Sequence, residues 1–229
     1  MTEAEVLKIK NKITTILQTN SGIAPSVINS LLPTSVKSLQ GKLYEAYILA
    51  LICENLVTRE NCTIKLVQGA NPILKQKGSP INRNYPYFEV SKNGYLFGEL
   101  FTDTYFTTLS YSLKATLNNP VRGDYHELDI AMIMPGKNSY PKHDEIMLAV
   151  ECKNTSVKKH IIREVLGFRR ELSFFKGLNY PTHFQNWPAN SIASSPGSVH
   201  MLYCSDRAVN NYQSNCLRFG ILTEYFKMN

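Results

Sequence analysis

Tyr125-His-Glu-Leu-Asp-Ile-Ala-Met-Ile-Met134 and Ile146-Met-Leu-Ala-Val-Glu-Cys-Lys-Asn154 are the stretches from which the fold can be read. The first has the composition of a strand carrying Asp129, the second of an apolar strand that ends in Glu151-Cys152-Lys153. Side chains alternate across a strand, so Glu151 and Lys153 project to one face while Leu148, Val150 and Cys152 project to the other. Two acids and a lysine then meet at one sheet edge. The loop from 135 to 144, with its proline and lysines, is long enough to join two adjacent strands.

Working outward, helix signals dominate the N-terminal side. Thr2 and Glu5 have the form of a capping box, and Val6, Ile9, Ile13 and Ile16 follow at helical spacing up to Asn20-Ser-Gly22. Pro25 opens a short helix through Leu32, which Pro33 breaks. A third helix, about Val36 to Leu56, presents Ile48, Leu49, Ile52 and Leu56 on one face, and Glu45 lies on that same face. Residues 1–35 are therefore expected to be a helical extension and residues 36–229 the main domain. Cys62 to Gln68 reads as a strand, followed by a polar, basic loop to Asn84 with Lys75, Lys77 and Arg83. Asn93-Gly94 between Tyr87–Val90 and Tyr95–Leu100 signals a hairpin with a type I′ turn. A separate strand-like run covers Tyr105–Tyr111. After Thr155 a helix is expected up to Gly177, then a Gly-, Pro-, Asn- and Ser-rich linker to Ser198, a strand Val199–Cys204, and a final amphipathic segment. Both helices and strands are expected, the elements of an α/β chain.

The 229 residues are 43% hydrophobic and 19% charged, which excludes a disordered or collagen-like chain. A net charge of +7 favours an anionic partner. The five cysteines are odd in number and lack C-x-x-C spacing, which argues against a disulfide framework or a zinc site. The first residues lack the apolar run of a signal peptide, and no apolar stretch is long enough to span a bilayer, so a cytoplasmic protein without a membrane partner is expected.

Hydrolysis of a phosphodiester needs a nucleophilic water, charge stabilisation on the non-bridging oxygens and help for the leaving oxygen. A divalent metal held by carboxylates can supply all three. Mg²⁺ prefers oxygen ligands and keeps several waters, and Mn²⁺ can substitute for it. Asp129 and Glu151 are the expected ligands, with the backbone carbonyl of Cys152 as a third, and Lys153 would orient or polarise the water. Metal beside Lys153 would depress its pKa. Glu45, on an apolar helix face, completes the expected catalytic set and calls for a cation opposite it, because an unpaired buried carboxylate is costly.

A helix with Glu45, a strand with Asp129, a strand with Glu151-Cys152-Lys153 and a following helix together resemble the PD-(D/E)XK nuclease superfamily, over about residues 36–205. His126-Glu127-Leu128 precedes Asp129 where the namesake motif has proline. The resemblance implies a restriction-endonuclease-like core, a mixed central sheet flanked by helices, with Asp129 and Glu151 binding Mg²⁺ and Lys153 assisting the water. It implies an endonuclease acting on DNA, in restriction or another genome-defence role.

Lys158, Lys159 and Arg163 on the helix after the site are expected to contact nucleic-acid phosphates, and Asn154 and Thr155 to cap that helix and turn its positive end toward substrate. Glu127 reads as a surface acid, His126 as exposed, and the aromatics Tyr85, Tyr87, Phe88, Tyr95 and Phe97 as sheet core rather than base-stacking groups. Two alternatives stand beside DNA cleavage: a non-catalytic nucleic-acid-binding or assembly subunit with the same fold, and a nuclease for RNA or branched DNA. Cutting both strands of a duplex makes a homodimer an expectation, and the N-terminal helices are candidates for binding a partner protein.

Overall fold

The computed structural model describes residues 1–33 and 40–228. Three helices open the chain: α1 (Glu3–Ser21), α2 (Pro25–Leu31) and α3 (Gln40–Thr58). The expected capping box is formed, with Glu5 N–H donating to Thr2 Oγ1 and Thr2 N–H to Glu5 Oε2. Gly22, at φ 67°, ends α1 in the left-handed conformation that glycine adopts without penalty. Residues 36–39, where the third helix was expected to begin, lie outside the described residues. Within α3 the buried set extends beyond the expected face to Leu43, Tyr44, Ala46, Tyr47 and Ala50, because α1 covers the side turned away from the sheet. Ile9, Ile13 and Leu17 of α1 join one apolar cluster with α3 and with Leu148, Val150 and Met201 of the sheet. The N-terminal helices thus share the core of the main fold.

Seven strands form a mixed central sheet, β1 (Cys62–Val67), β2 (Tyr87–Lys92), β3 (Tyr95–Thr107), β4 (Tyr125–Ile133), β5 (Ile146–Lys153), β8 (Val199–Cys204) and β9 (Ile221–Tyr225), in the order β1-β2-β3-β4-β5-β8-β9. β1 to β5 are an antiparallel meander, while β5, β8 and β9 are parallel. Parallel neighbours need a crossover, and α5 (Lys159–Leu172) supplies it between β5 and β8. Val199, Met201 and Tyr203 of β8 pack toward α3, and Leu202 and Cys204 pack with Ile161, Ile162 and Val165 of α5, so helices cover both faces. Asn93 and Gly94, at φ 52° and 81°, make the expected I′ turn between β2 and β3.

Three sequence expectations are corrected. The two strand-like runs at Tyr95–Leu100 and Tyr105–Tyr111 are one long strand, β3, held by β2 along its first half and by β4 from Glu99 to Thr107; residues 109–112 beyond it form a short helix, α4. α5 ends at Leu172 rather than Gly177, since Ser173 is already extended and the aromatic Phe174–Pro181 run becomes β6, paired with β7 (Ser191–Ser195) in a two-stranded sheet within the expected linker. The final segment contains a short helix, α6 (Gln213–Leu217), and then β9. Lys158, not Asn154 or Thr155, occupies the N-cap of α5, because residues 154–158 are used to leave the sheet; Asn154 Nδ2 instead donates to Gln40 O at 3.4 Å. No helix among the described residues is long and apolar enough to cross a membrane.

Candidate active site

β4 and β5 pair only from Ile133–Ile146 to Ile130–Val150, and beyond that point the ladder opens. Asp129 enters the gap. Its Oδ2 accepts from the N–H of Cys152 at 2.7 Å, so a carboxylate takes over a donor at the parting of the strands. On β3 the pairs Thr102–Ile130 and Thr104–Leu128 place Asp103 opposite Asp129. Asp103 has φ 48°, a left-handed conformation that aspartate tolerates better than most side chains and that marks a locally kinked strand. From the α3 side Glu45 completes a triad: one carboxylate oxygen from each of Glu45, Asp103 and Asp129 lies within 4.8 Å of the others.

Lys42, one turn before Glu45, is the cation that the buried acid required. Its Nζ donates to Glu45 Oε2 at 2.6 Å and to Asp103 Oδ1. On the α5 side of the sheet, Glu151 is 2% exposed and Lys153 Nζ lies 3.1 Å from Glu151 Oε2 and 3.7 Å from Glu164 Oε1. Glu151 and Lys153 therefore share a face, as the alternation required, and Asp129 is the member of the triad that acts electrostatically on both. Glu151 Oε1 and Asp103 Oδ2 are both buried without a hydrogen-bond partner.

Glu45, Asp103, Asp129 and Glu151 thus face Lys42 and Lys153, with Glu164 and Glu127 also close by, so acids outnumber lysines in a largely buried cluster. Each of the first four acids responds by holding its proton more tightly. Burial, then the neighbouring Asp129, pushes Glu45 up to about 8 against the pull of Lys42. Burial pushes Asp103 up to about 7 although Lys42 opposes it. Burial raises Asp129 despite the Cys152 N–H, and burial with Asp129 beside it raises Glu151 well above the carboxylate range. Burial alone would lower Lys153, but Glu151, Asp129 and Glu164 outweigh it and raise its pKa; Lys42 is raised in the same way by Glu45 and Asp103. The donor set is all oxygen, carries surplus negative charge and leaves two buried oxygens unused, which suits a hard divalent cation.

The structure thus brings Glu45, Asp129, Glu151 and Lys153 together and adds Asp103 and Lys42, which the sequence reading missed. Cys152 contributes its N–H to Asp129, and its thiol is buried in the core. Lys158, Lys159 and Arg163 are exposed at the start of α5. Arg83 is engaged elsewhere, gripping Glu99 with both Nη atoms at 2.8 Å, and Lys75 is buried against Ser79 O, Pro80 O and Thr104 Oγ1. His126 is half-buried against Phe168, with ring centroids 5.1 Å apart, and Glu127 lies in the electrostatic field of Asp103. Tyr87 and Phe88 belong to the core as expected, whereas Tyr95 is 80% exposed at the hairpin tip.

No protein-family model, no curated protein and no solved structure matches this chain.

Proposed function

We propose that this protein is a Mg²⁺-dependent endonuclease that hydrolyses phosphodiester bonds in DNA. The observation that carries the reading is the meeting of Glu45, Asp103 and Asp129 within 4.8 Å, next to the Glu151–Lys153 pair, where acids outnumber lysines and a divalent cation would offset the surplus. Glu45, Asp103 and Asp129 would hold the metal, with the buried Glu151 as a further oxygen ligand. Bound Mg²⁺ supplies Lewis-acid stabilisation of phosphate charge. Lys153 donates hydrogen bonds toward the attacking water and the phosphate, and the exposed Lys158, Lys159 and Arg163 hold flanking phosphates. Mn²⁺ substitution, a cytoplasmic location, a restriction or defence setting and a homodimer belong to the same proposal. Incubation of plasmid DNA with Mg²⁺, Mn²⁺ or chelator tests it. Asp129→Ala, Asp103→Ala or a combined Glu151→Ala, Lys153→Ala change should each lower metal-dependent cutting at least about a hundredfold with the fold intact. Undiminished cutting by these variants would sink the proposal.

Lys42 favours a second reading. Its ammonium group already bridges two of the triad acids, as a resident counter-ion would in a non-catalytic nucleic-acid-binding subunit. Calorimetry separates the two: the subunit reading expects DNA binding with no Mg²⁺ uptake, the nuclease reading expects uptake that Asp103→Ala and Asp129→Ala abolish.

A further inference from the structure

α5 runs back along the sheet from the acids, so its last turn lies at the start of β8, at the opposite end of the strands. There Arg169 is 4% exposed, yet among the described residues no carboxylate lies within ion-pair distance of it. Its guanidinium is held by neutral acceptors: Nε donates to Phe219 O at 3.0 Å, Nη1 to Ser198 O at 2.7 Å, and Nη2 to Ser194 Oγ. These bonds fix its position but leave its full charge uncompensated, which is costly at such burial. Arg169 and Arg170 line a cavity of about 420 Å³ walled by Phe175 and Phe219. On the other side of Phe175 a second cavity of about 560 Å³ is lined by Lys176 and Arg218.

The two cavities share Phe175 and contain four cationic side chains and no acid. Phe175 is 46% and Phe219 42% exposed, with ring centroids 5.4 Å apart, and Phe175 stands on β6, which is exposed along its whole length. Surfaces that hold single-stranded nucleic acid combine a cationic track for the backbone with accessible aromatic faces for bases. Four cations with no acid among them call for a polyanion, and the exposed Phe175 and Phe219 rings favour one that also carries flat bases.

We infer that the groove between the end of α5, the β6–β7 sheet and α6 binds single-stranded nucleic acid, with bases on Phe175 and Phe219 and phosphates on Arg170, Lys176 and Arg218. Fluorescence anisotropy of a labelled oligothymidylate of about fifteen nucleotides, in chelator and at two salt concentrations, tests this without any cleavage. Phe175→Ala with Phe219→Ala should weaken binding about five- to one-hundred-fold. Arg170→Ala with Arg218→Ala should weaken it about tenfold or more and lower the salt slope by roughly 0.7 per lost contact. All four side chains are exposed, so thermal unfolding should be unchanged; Lys8→Ala with Lys10→Ala, which takes the same charge from α1, should leave binding nearly unaltered. Failure of the wild type to bind, equal weakening by the α1 variant, or no effect of the groove variants would overturn the inference. So would self-association that Phe175→Ala with Phe219→Ala abolishes while oligonucleotide binding persists. Because the assay excludes metal, none of these outcomes depends on the nuclease proposal.

Discussion

At the scale of single residues, the site is defined by acids that cannot all be ionised at once. Glu45, Asp103, Asp129 and Glu151 have folded-state pKa values above their unfolded ones, so the metal-free folded protein keeps protons that the unfolded chain releases. Stability must then fall as pH rises from about 4, the ordinary carboxylate value, through about 7 for Asp103 and about 8 for Glu45. The raised values of Lys42 and Lys153 act only above about pH 10 and leave this window untouched. In chelator, thermal unfolding should come at a lower temperature near pH 8.5 than near pH 6, and Mg²⁺ should restore most of the difference. Asp103→Asn should stabilise the metal-free protein at the higher pH by about 1–2 kcal/mol. A flat profile would show that the two lysines alone balance the acids.

At the scale of elements, the end of α3 remote from the acids is anchored by one buried carboxylate. Glu60, just past α3, is fully buried; Lys92 Nζ at the end of β2 donates to it at 2.7 Å, and the N–H groups of Gln185, Asn186 and Trp187 donate to it from the loop between β6 and β7. Burial alone would raise this carboxyl, but the four donors outweigh it and hold it below the ordinary range. Its contribution is therefore present above the unfolded pKa and lost as pH falls through the folded value. Glu60→Gln should cost about 2–4 kcal/mol in urea unfolding at neutral pH, with the deficit shrinking in acid. A loss that stays constant with pH would assign the effect to packing instead of charge.

At the scale of the whole molecule, α1 and α2 share one core with α3 and the sheet. Ile13 is fully buried within the cluster that also holds Leu148 and Val150 of β5. Ile13→Ala should destabilise the entire fold by about 2–5 kcal/mol in a single transition. A loss below about 0.5 kcal/mol, the usual size of a surface change, would mean that the N-terminal helices can be dispensed with. The acids lie near the start of α5 and the basic aromatic groove at its end, so the helix separates the two. A strand held in the groove and a phosphodiester at the acids would then be separate contacts with separate salt dependences.

Local patterns were enough to show the α1 cap, the Asn93-Gly94 turn, the bounds of β4, β5 and β8, and the common face of Glu151 and Lys153, because each depends on neighbours within a few residues. Glu45 was legible as a charge interrupting an apolar helix, and the need for a cation beside it followed. Asp103 was not, since it lies in the stretch between two strand-like runs and becomes meaningful only when β3 is seen to pass unbroken beside β4. Lys42 carries no signal of its own in the sequence, because Asp103, the acid it meets, lies far along the chain. Sequence determined which side chains of adjacent strands share a face through the period-two alternation of the backbone. Tertiary structure alone decided which distant acids join them, because that depends on where the β4–β5 ladder opens and on how α3 packs across it.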